Sequence, residues 1–420
     1  MTSEKIGREC FVYITLPGHI KPVTAGKFSV TTEKGLKIGH FTYGRKYLER
    51  PDKVELDPVE LVLSENPYET TALKGIFGAL RDASPDHWGR RVIERNVGGG
   101  ELAELDYLLN SPDDRAGALG FGLNQLPPAP LRHFNKTIEL EKLQQIADVI
   151  SKDDDLPESH VLKQVQELML VGTSMGGARP KAVVEDEQGL WIAKFNDLKD
   201  RWNNARVEKA MLSLARLCGI TTEESKIVTI ADRDVLLVKR FDREKVEGGY
   251  LRYRMVSGLT LLQAGDTYES RDRWSYIALA ETLRRVCSRA EENAREIFLR
   301  MCFNALISNS DDHPRNHAII AKNTEWKLSP AYDITPNPQI SQERRELALK
   351  CGDYGRYANA ENLLSQSKRF LIEQEEARKI VDEMEQLVKS SWYKIAKAEA
   401  VSESDCEKIQ GAFAYPGFRI

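Results

Sequence analysis

The sequence predicts an α+β protein, with a β-rich part first, a mixed segment in the middle and a helical part last. Three observations point there. Short β-branched and aromatic runs, broken by Gly and Pro, fill the chain to about residue 80. Strand-like and helix-like patterns alternate from about 166 to 240. Beyond about 250, apolar residues recur at helical spacing. With 420 residues the chain exceeds one ordinary domain and has room for two or three.

Composition narrows the class. Hydrophobic residues at 41% against 30% charged can bury a core, which excludes a disordered chain. Lys+Arg number 60 and Asp+Glu 64, a net charge of −4, so the chain lacks the basic excess of a protein that grips nucleic acid through its phosphates. No apolar run approaches the ~18 residues of a membrane span. The opening MTSEKIGREC has no signal-peptide core. Cys10, Cys218, Cys287, Cys302, Cys351 and Cys406 are scattered without a CxxC pair. That pattern argues against a zinc or disulfide framework and makes the cytoplasm the expected compartment.

The elements follow in order. CFVYITL (10–16), KFSVTT (27–32), KIGHFTY (37–43) and VELVLS (59–64) read as strands. In DASPDHWGRRVIERN, Ser84 can cap a helix with Pro85 at its first position and Asp86 in its first turn. Residues 100–135, with LPPAP at 126–130, read as loop. A helix is expected from about Lys136 to Ser151, with Leu143, Ile146 and Ile150 on one face. DDDLPES (153–159) reads as a linker. The stretch 166–240 then reads strand, Gly-rich loop, strand, turn, strand, helix, strand. RDRWSYIALAETLRRVCSRA, EENAREIFLRMCFNALI and roughly 372–398, with Ile380, Met384, Leu387 and Ile395, are amphipathic helices.

Four features carry chemistry. The first is GTSMGGARPKAVVEDEQGLWIAKF, where Gly172, Gly176 and Gly177 lie between two strand-like segments. Glycines let backbone N–H groups approach phosphate oxygens, though the loop lacks the G-K-[ST] ending of a Walker A motif. The second is Lys194, late on the strand after a turn at Glu187–Gly189, where a protein-kinase strand carries its phosphate-binding lysine. The third is Glu208, on a helix that Asn203 or Asn204 caps and Cys218-Gly219 ends. It flanks the apolar stripe of Met211, Leu214 and Leu217 and can reach a lysine on the sheet. Taken singly, each has a plain structural reading: a hairpin turn, a solvated strand end, a surface helix charge.

The fourth is NSDDHPRNHAIIAKNTEWKLSPAYDI. Asp311 and Asn316 stand at the D-x-x-x-x-N spacing of a kinase catalytic loop, two short strands follow, and Asp333 comes after the second. One carboxylate meets the acceptor hydroxyl, while an amide oxygen and a second carboxylate hold Mg²⁺ on the triphosphate. His313 admits either a catalytic or a structural role. A zinc site at His313 and His317 lacks further ligands in the sequence nearby. The order of the four features is harder to obtain by accident than any one of them.

On SPDHWGRR (84–91), TSMGGARPKA (173–182), VKRFDR (238–243), SDDHPRN (310–316) and PAYDI (330–334), the sequence resembles the HipA toxin kinases. These are serine/threonine kinases of bacterial toxin–antitoxin modules. The D-x-H-x-x-N form is shared with lipid kinases; VKRFDR and SPDHWGRR separate the two. The resemblance implies a protein-kinase-like two-lobed core, with a mixed α/β N-lobe at 161–250 and an all-α C-lobe at 251–420. A β-rich subdomain at 1–110 and a connecting helix and linker at 111–160 precede it. It implies Asp311 as base, Asn316 and Asp333 as Mg²⁺ ligands, and Lys194 on the ATP phosphates with Glu208 as its tether. Lys181 would also meet ATP, while Lys239 and Phe241 would belong to the hinge that holds adenine.

The resemblance places Ser174 where the family has an inactivating autophosphorylated serine; otherwise Ser174 is a turn residue. A phosphate dianion so close to the triphosphate would repel it. A helix-turn-helix antitoxin of the HipB kind is the implied partner, with DNA reached only through it, and no membrane is involved. A translation component such as glutamyl-tRNA synthetase is the implied target. A small-molecule or lipid kinase and a non-catalytic nucleotide-binding partner are the alternatives. Two departures stand out: Arg315 replaces the family's usual Lys, and Arg179-Pro180 precedes Lys181.

Overall fold

The computed structural model describes residues 8–97, 102–130, 134–151, 179–197, 199–338 and 341–420. The chain divides into two compact units. One comprises Met1–Ala193, Arg240–Val256 and Ile320–Glu325; the other comprises Lys194–Lys239, Ser257–Ile319 and Trp326–Ile420.

In the first unit, β1 (Arg8–Thr15), β2 (Pro22–Glu33), β3 (Leu36–Tyr43), β4 (Tyr68–Thr70) and β5 (Leu119–Gly122) form an antiparallel sheet of order β4-β3-β2-β1-β5. Phe28 and Phe41 are fully buried on it, and Phe41 meets Tyr43 edge-to-face at 4.9 Å.

Three expectations are corrected here. The strand expected at 59–64 is absent, because the Asp57 carboxylate accepts from Val59 N and Glu60 N at 2.8 and 2.6 Å and turns the chain. The loop expected at 100–135 contains a helix, Glu104–Asn110, and strand β5. The helix is too short for periodicity to show. The strand is LGFG, whose Gly122 is required because a Cβ there would lie 2.6 Å from Tyr13 Oη. The helix α1 (His87–Val97) is capped by Asp86, not Ser84: Asp86 Oδ1 accepts from Gly89 N at 2.8 Å. Arg90 of α1 then forks onto Glu104 of α2 (Glu104–Asn110) at 2.8 and 2.7 Å.

A single 3₁₀ turn leads into α3 (Leu140–Ser151), close to the expected helix. β6 (Asn135–Lys136) pairs in parallel with β7 (Lys181–Asp186). The turn to β8 (Gly189–Phe195) falls as expected, with Gly189 at φ 125°. Helix does not begin at residue 250 itself, where a hairpin is still in progress. β11 (Arg243–Val246) and β12 (Gly249–Arg252) make a hairpin whose Gly248 and Gly249 both have positive φ.

In the second unit, α4 (Asn204–Leu217) starts at the expected cap, Asn203, which accepts from Arg206 N at 3.2 Å. Its end is expected too: Cys218 is the C-cap and Gly219 follows at φ 81°. Two strands follow where one was expected, β9 (Ser225–Ile230) and β10 (Arg233–Lys239). The turn between them uses positive φ at Ala231 and Asp232 rather than the Asn-Gly pair that marks such turns in sequence. α5 (Tyr276–Val286), α6 (Ala290–Leu306) and α7 (Gln374–Ala398) lie within the predicted helical stretches. From Ile297 to Leu306 every residue of α6 except Leu299 is buried, so α6 is a central helix rather than an amphipathic surface one. It delivers the chain into the loop that holds Asp311.

Candidate active site

The loop after α6 is tied down on every side. Ser308 takes a left-handed conformation (φ 54°), and its Oγ donates to Ala412 O at 2.6 Å while accepting from Arg345 Nη1 at 2.6 Å. Asn309 donates from its backbone N to Asn304 O at 2.8 Å and from Nδ2 to Asn304 Oδ1 at 3.0 Å. His313 N then donates to Asp311 O at 2.7 Å, and Pro314–Asn316 form a 3₁₀ turn. Asn316 Nδ2 reaches back to Asp311 O at 3.3 Å, which closes Asp311 and Asn316 into one small loop. Gly258 lies against this loop: its N–H donates to His317 O at 2.7 Å, and a Cβ on it would come within 2.5 Å of Pro314 O.

Lys194, Glu208 and Asp333 meet in the same unit. α4 is oriented by Asp234 of β10, which accepts from Asn203 Nδ2 at 2.7 Å and Arg206 Nη2 at 2.9 Å. Glu208, one turn into that helix, is thereby buried rather than a surface charge. The chain reaches Asp333 through Ala331 N, which donates to Thr221 O at 2.7 Å, and Asp333 itself adopts φ 59°. Lys194 Nζ donates to Glu208 Oε1 at 2.5 Å and to Asp333 Oδ1 at 2.8 Å. Burial alone would lower the pKa of Lys194; the charges of Asp333 and Glu208 outweigh it and hold the ammonium well above its ordinary value.

Asp311 is exposed, yet its carboxyl is held above the usual range. Desolvation by the surrounding protein is the largest cause. His313 opposes it, and the negative charges of Asp333 and Asp312 reinforce it. Lys194 is thus one ammonium against two carboxylates, Glu208 and Asp333, and the charge of Asp333 also reaches Asp311. Such an excess suits a cation. The donors fit magnesium: Asp333 offers a half-buried carboxylate, and Asn316 Oδ1 accepts no hydrogen bond among the described residues. His313 Nδ1 is enclosed and has no hydrogen-bond partner among the described residues.

Of the other expected site residues, some have local partners of their own and some are not described. Lys181 Nζ donates to Asp86 Oδ2 at 2.6 Å with both side chains buried, so its charge is committed inside the first unit. Lys239 is half-buried, and its Nζ reaches Glu224 at 3.4 Å. Phe241 follows in a segment dominated by its neighbours. Arg240 and Arg243 both bind Asp242, at 2.9 and 2.7 Å, and Arg240 also pairs with Asp114. Gly172, Ser174, Gly176 and Gly177 lie outside the described residues. Sequence reasoning weighed His317 only as a zinc ligand and gave no role to Asp312, Tyr276 or Gly258; Asp312 bonds to both Tyr276 and His317 beneath the loop, contacts that join segments distant in the chain.

Comparison with known proteins bears on the whole chain. The HipA-like C-terminal domain family matches residues 173–392, over half of the chain, and the HipA N-terminal domain family matches 19–122. The chain belongs to the HipA family. Its overall structure is similar to that of Shewanella oneidensis HipA, solved with HipB and its operator DNA, at a TM-score of 0.68, 16% identity and 94% coverage of both chains. The α+β class is thus that of the HipA fold. The Helicobacter pylori proinflammatory kinase CtkA aligns over 58% of this chain and 91% of its own, at 14% identity and a TM-score of 0.37. A putative kinase of Haemophilus influenzae is 26% identical over 192 residues, 40% of this chain and 55% of that protein. The chain thus spans about half the length of that curated relative. Within this HipA-family chain, Arg315 pairs with Asp266 at 3.0 Å, and its carbonyl accepts from Tyr332 Oη at 2.6 Å. Among the described residues, no helix is long and apolar enough to cross a membrane.

Proposed function

We propose that this HipA-family chain is an ATP- and Mg²⁺-dependent serine/threonine protein kinase and the toxin of a toxin–antitoxin pair. The single observation that carries the reading is Lys194 held between Glu208 and Asp333, in the same unit as the Asp311–Asn316 loop. A lysine fixed by a helix glutamate is the device by which kinases position nucleotide phosphates.

Asp311 orients the acceptor hydroxyl and takes its proton, a task suited to a carboxyl whose affinity for protons is raised. Asn316 and Asp333 would hold magnesium, which when bound supplies charge neutralisation on the transferring phosphoryl group. Lys194 holds the phosphates of the donor, and Glu208 keeps the ammonium from turning away. His313, beside Asp311, tempers the negative charge there. Ser174, in the Gly-rich loop, is the proposed site of inactivating autophosphorylation. The proposed target is a translation component such as glutamyl-tRNA synthetase. The proposed restraint is a helix-turn-helix antitoxin, as HipB accompanies HipA in the Shewanella complex, and the proposed compartment is the cytoplasm.

Radiolabelled ATP added to cell lysate with the purified chain tests the reading. Label in a protein band, lost with Asp311→Asn, is the expected result. Label confined to small molecules would instead assign a small-molecule or lipid kinase, and no Asp311-dependent label would leave a nucleotide-binding partner.

A further inference from the structure

The catalytic loop rests on a buried polar cluster that the proposed chemistry does not use. Asp312, the residue after Asp311, points inward and is 3% exposed. Its Oδ2 accepts from Tyr276 Oη of α5 and meets His317 Nε2 at 2.7 Å. His317 is the residue after Asn316. One buried carboxylate therefore joins the position following Asp311 to the position following Asn316 and closes the D-x-x-x-x-N segment from below. Tyr276 anchors that closure to the helices. Its hydroxyl accepts from Asn304 Nδ2 of α6 at 3.2 Å, its ring meets the His317 ring edge-on at 5.6 Å, and Asn304 in turn holds Asn309.

We infer that Asp312, His317 and Tyr276 are positioning residues, a clamp that sets the separation of Asp311 from Asn316. The inference rests on the kinase reading of that loop. Two features favour positioning over simple core filling. A buried carboxylate costs several kcal/mol of desolvation, roughly, unless well paired, and an apolar side chain would fill the same space at lower cost. Both ends of the clamp also sit one residue from a proposed functional group. Misplacing such a group by about 1 Å is enough to cost about a hundredfold in rate.

The test compares His317→Phe, which keeps a ring against Tyr276 but removes the donor, with His317→Gln, which restores a donor near the Nε2 position. Phosphate transfer from ATP, ATP affinity by equilibrium binding, thermal midpoint and amide exchange over 308–318 are measured on the full chain. The clamp predicts a fall in kcat of tenfold or more for His317→Phe, with ATP affinity within twofold of the parent, and recovery of most of that loss in His317→Gln. It also predicts faster amide exchange over 308–318 in His317→Phe, returning toward the parent rate in His317→Gln. Unchanged kcat, or equal losses in both variants that track a lowered midpoint, would overturn it. Should the parent chain transfer no phosphate, the kinase reading falls, and exchange decides the clamp alone: identical exchange in parent and His317→Phe rejects it.

Discussion

Two clusters of charge in this chain obey opposite rules. In the first unit, Arg240 and Arg243 face Asp242 and Asp114. The guanidinium groups also donate to Arg115 O at 3.0 Å and Gly117 O at 2.9 Å, and Asp242 accepts from Gly117 N at 2.9 Å. Charges balance two against two, and Arg240 and Asp242 are wholly buried. In the second unit, Lys194 bonds to both Glu208 and Asp333, two carboxylates against one ammonium, and the exposed Asp311 feels the charge of Asp333. A cluster whose buried charges are paired with one another serves structure first. An unbalanced one with an open edge still has capacity for a ligand. Three of the four charged residues of VKRFDR, Arg240, Asp242 and Arg243, serve the first cluster.

Breaking the open cluster should cost function and leave the fold. Asp311→Asn is expected to lower phosphate transfer by at least about a hundredfold, the scale of a lost general base, with an unchanged thermal midpoint. Breaking the balanced cluster should do the reverse. Arg240→Ala removes the near partner of buried Asp114 and leaves Asp242 to Arg243, and it should destabilise the first unit by about 3–5 kcal/mol, read from urea unfolding.

Gly258→Ala tests the open site indirectly: its Cβ meets Pro314 O, so transfer should fall about tenfold as the loop shifts by a few tenths of an ångström. Acid should also distinguish the clusters. Burial opposes ionisation of Asp242, but Arg240 and Arg243 overcome it and hold its pKa well below the usual carboxylate range. Its contribution is complete above the unfolded value of about 3.9 and is lost as pH falls through the lower folded one. Urea midpoints taken between pH 6 and pH 2 should therefore fall less steeply in Asp242→Asn. The smallest effect belongs to Lys239→Ala, which loses a half-buried pair with Glu224 worth about 0–1 kcal/mol. A large loss of ATP binding in that variant would restore Lys239 to the site.

Much of this was legible in the sequence because local signals sufficed. Asn203 and Gly219 bracket α4, the Gly189 turn sets β8, and helical periodicity finds α5, α6 and α7. The failures occur where a side chain overrides pattern. Asp57 folds an apolar run into a turn, and Asp86 takes the cap expected of Ser84. The pairing of Lys181 with Asp86 was not legible either, because only the fold brings those two segments together.

Residue type and spacing alone singled out Lys194, Glu208, Asp311, Asn316 and Asp333 as a candidate set, because kinase sites carry such groups in that order. Tertiary structure decided which charges close on one another. It buries Arg240 and Lys181 against carboxylates far away in the chain, and it leaves Asp311 at an open edge. It also sets Asp312, Tyr276 and His317 beneath the loop. The reason is physical: a charge is functional or structural according to how completely its neighbours satisfy it, and those neighbours come from segments that sequence spacing does not connect.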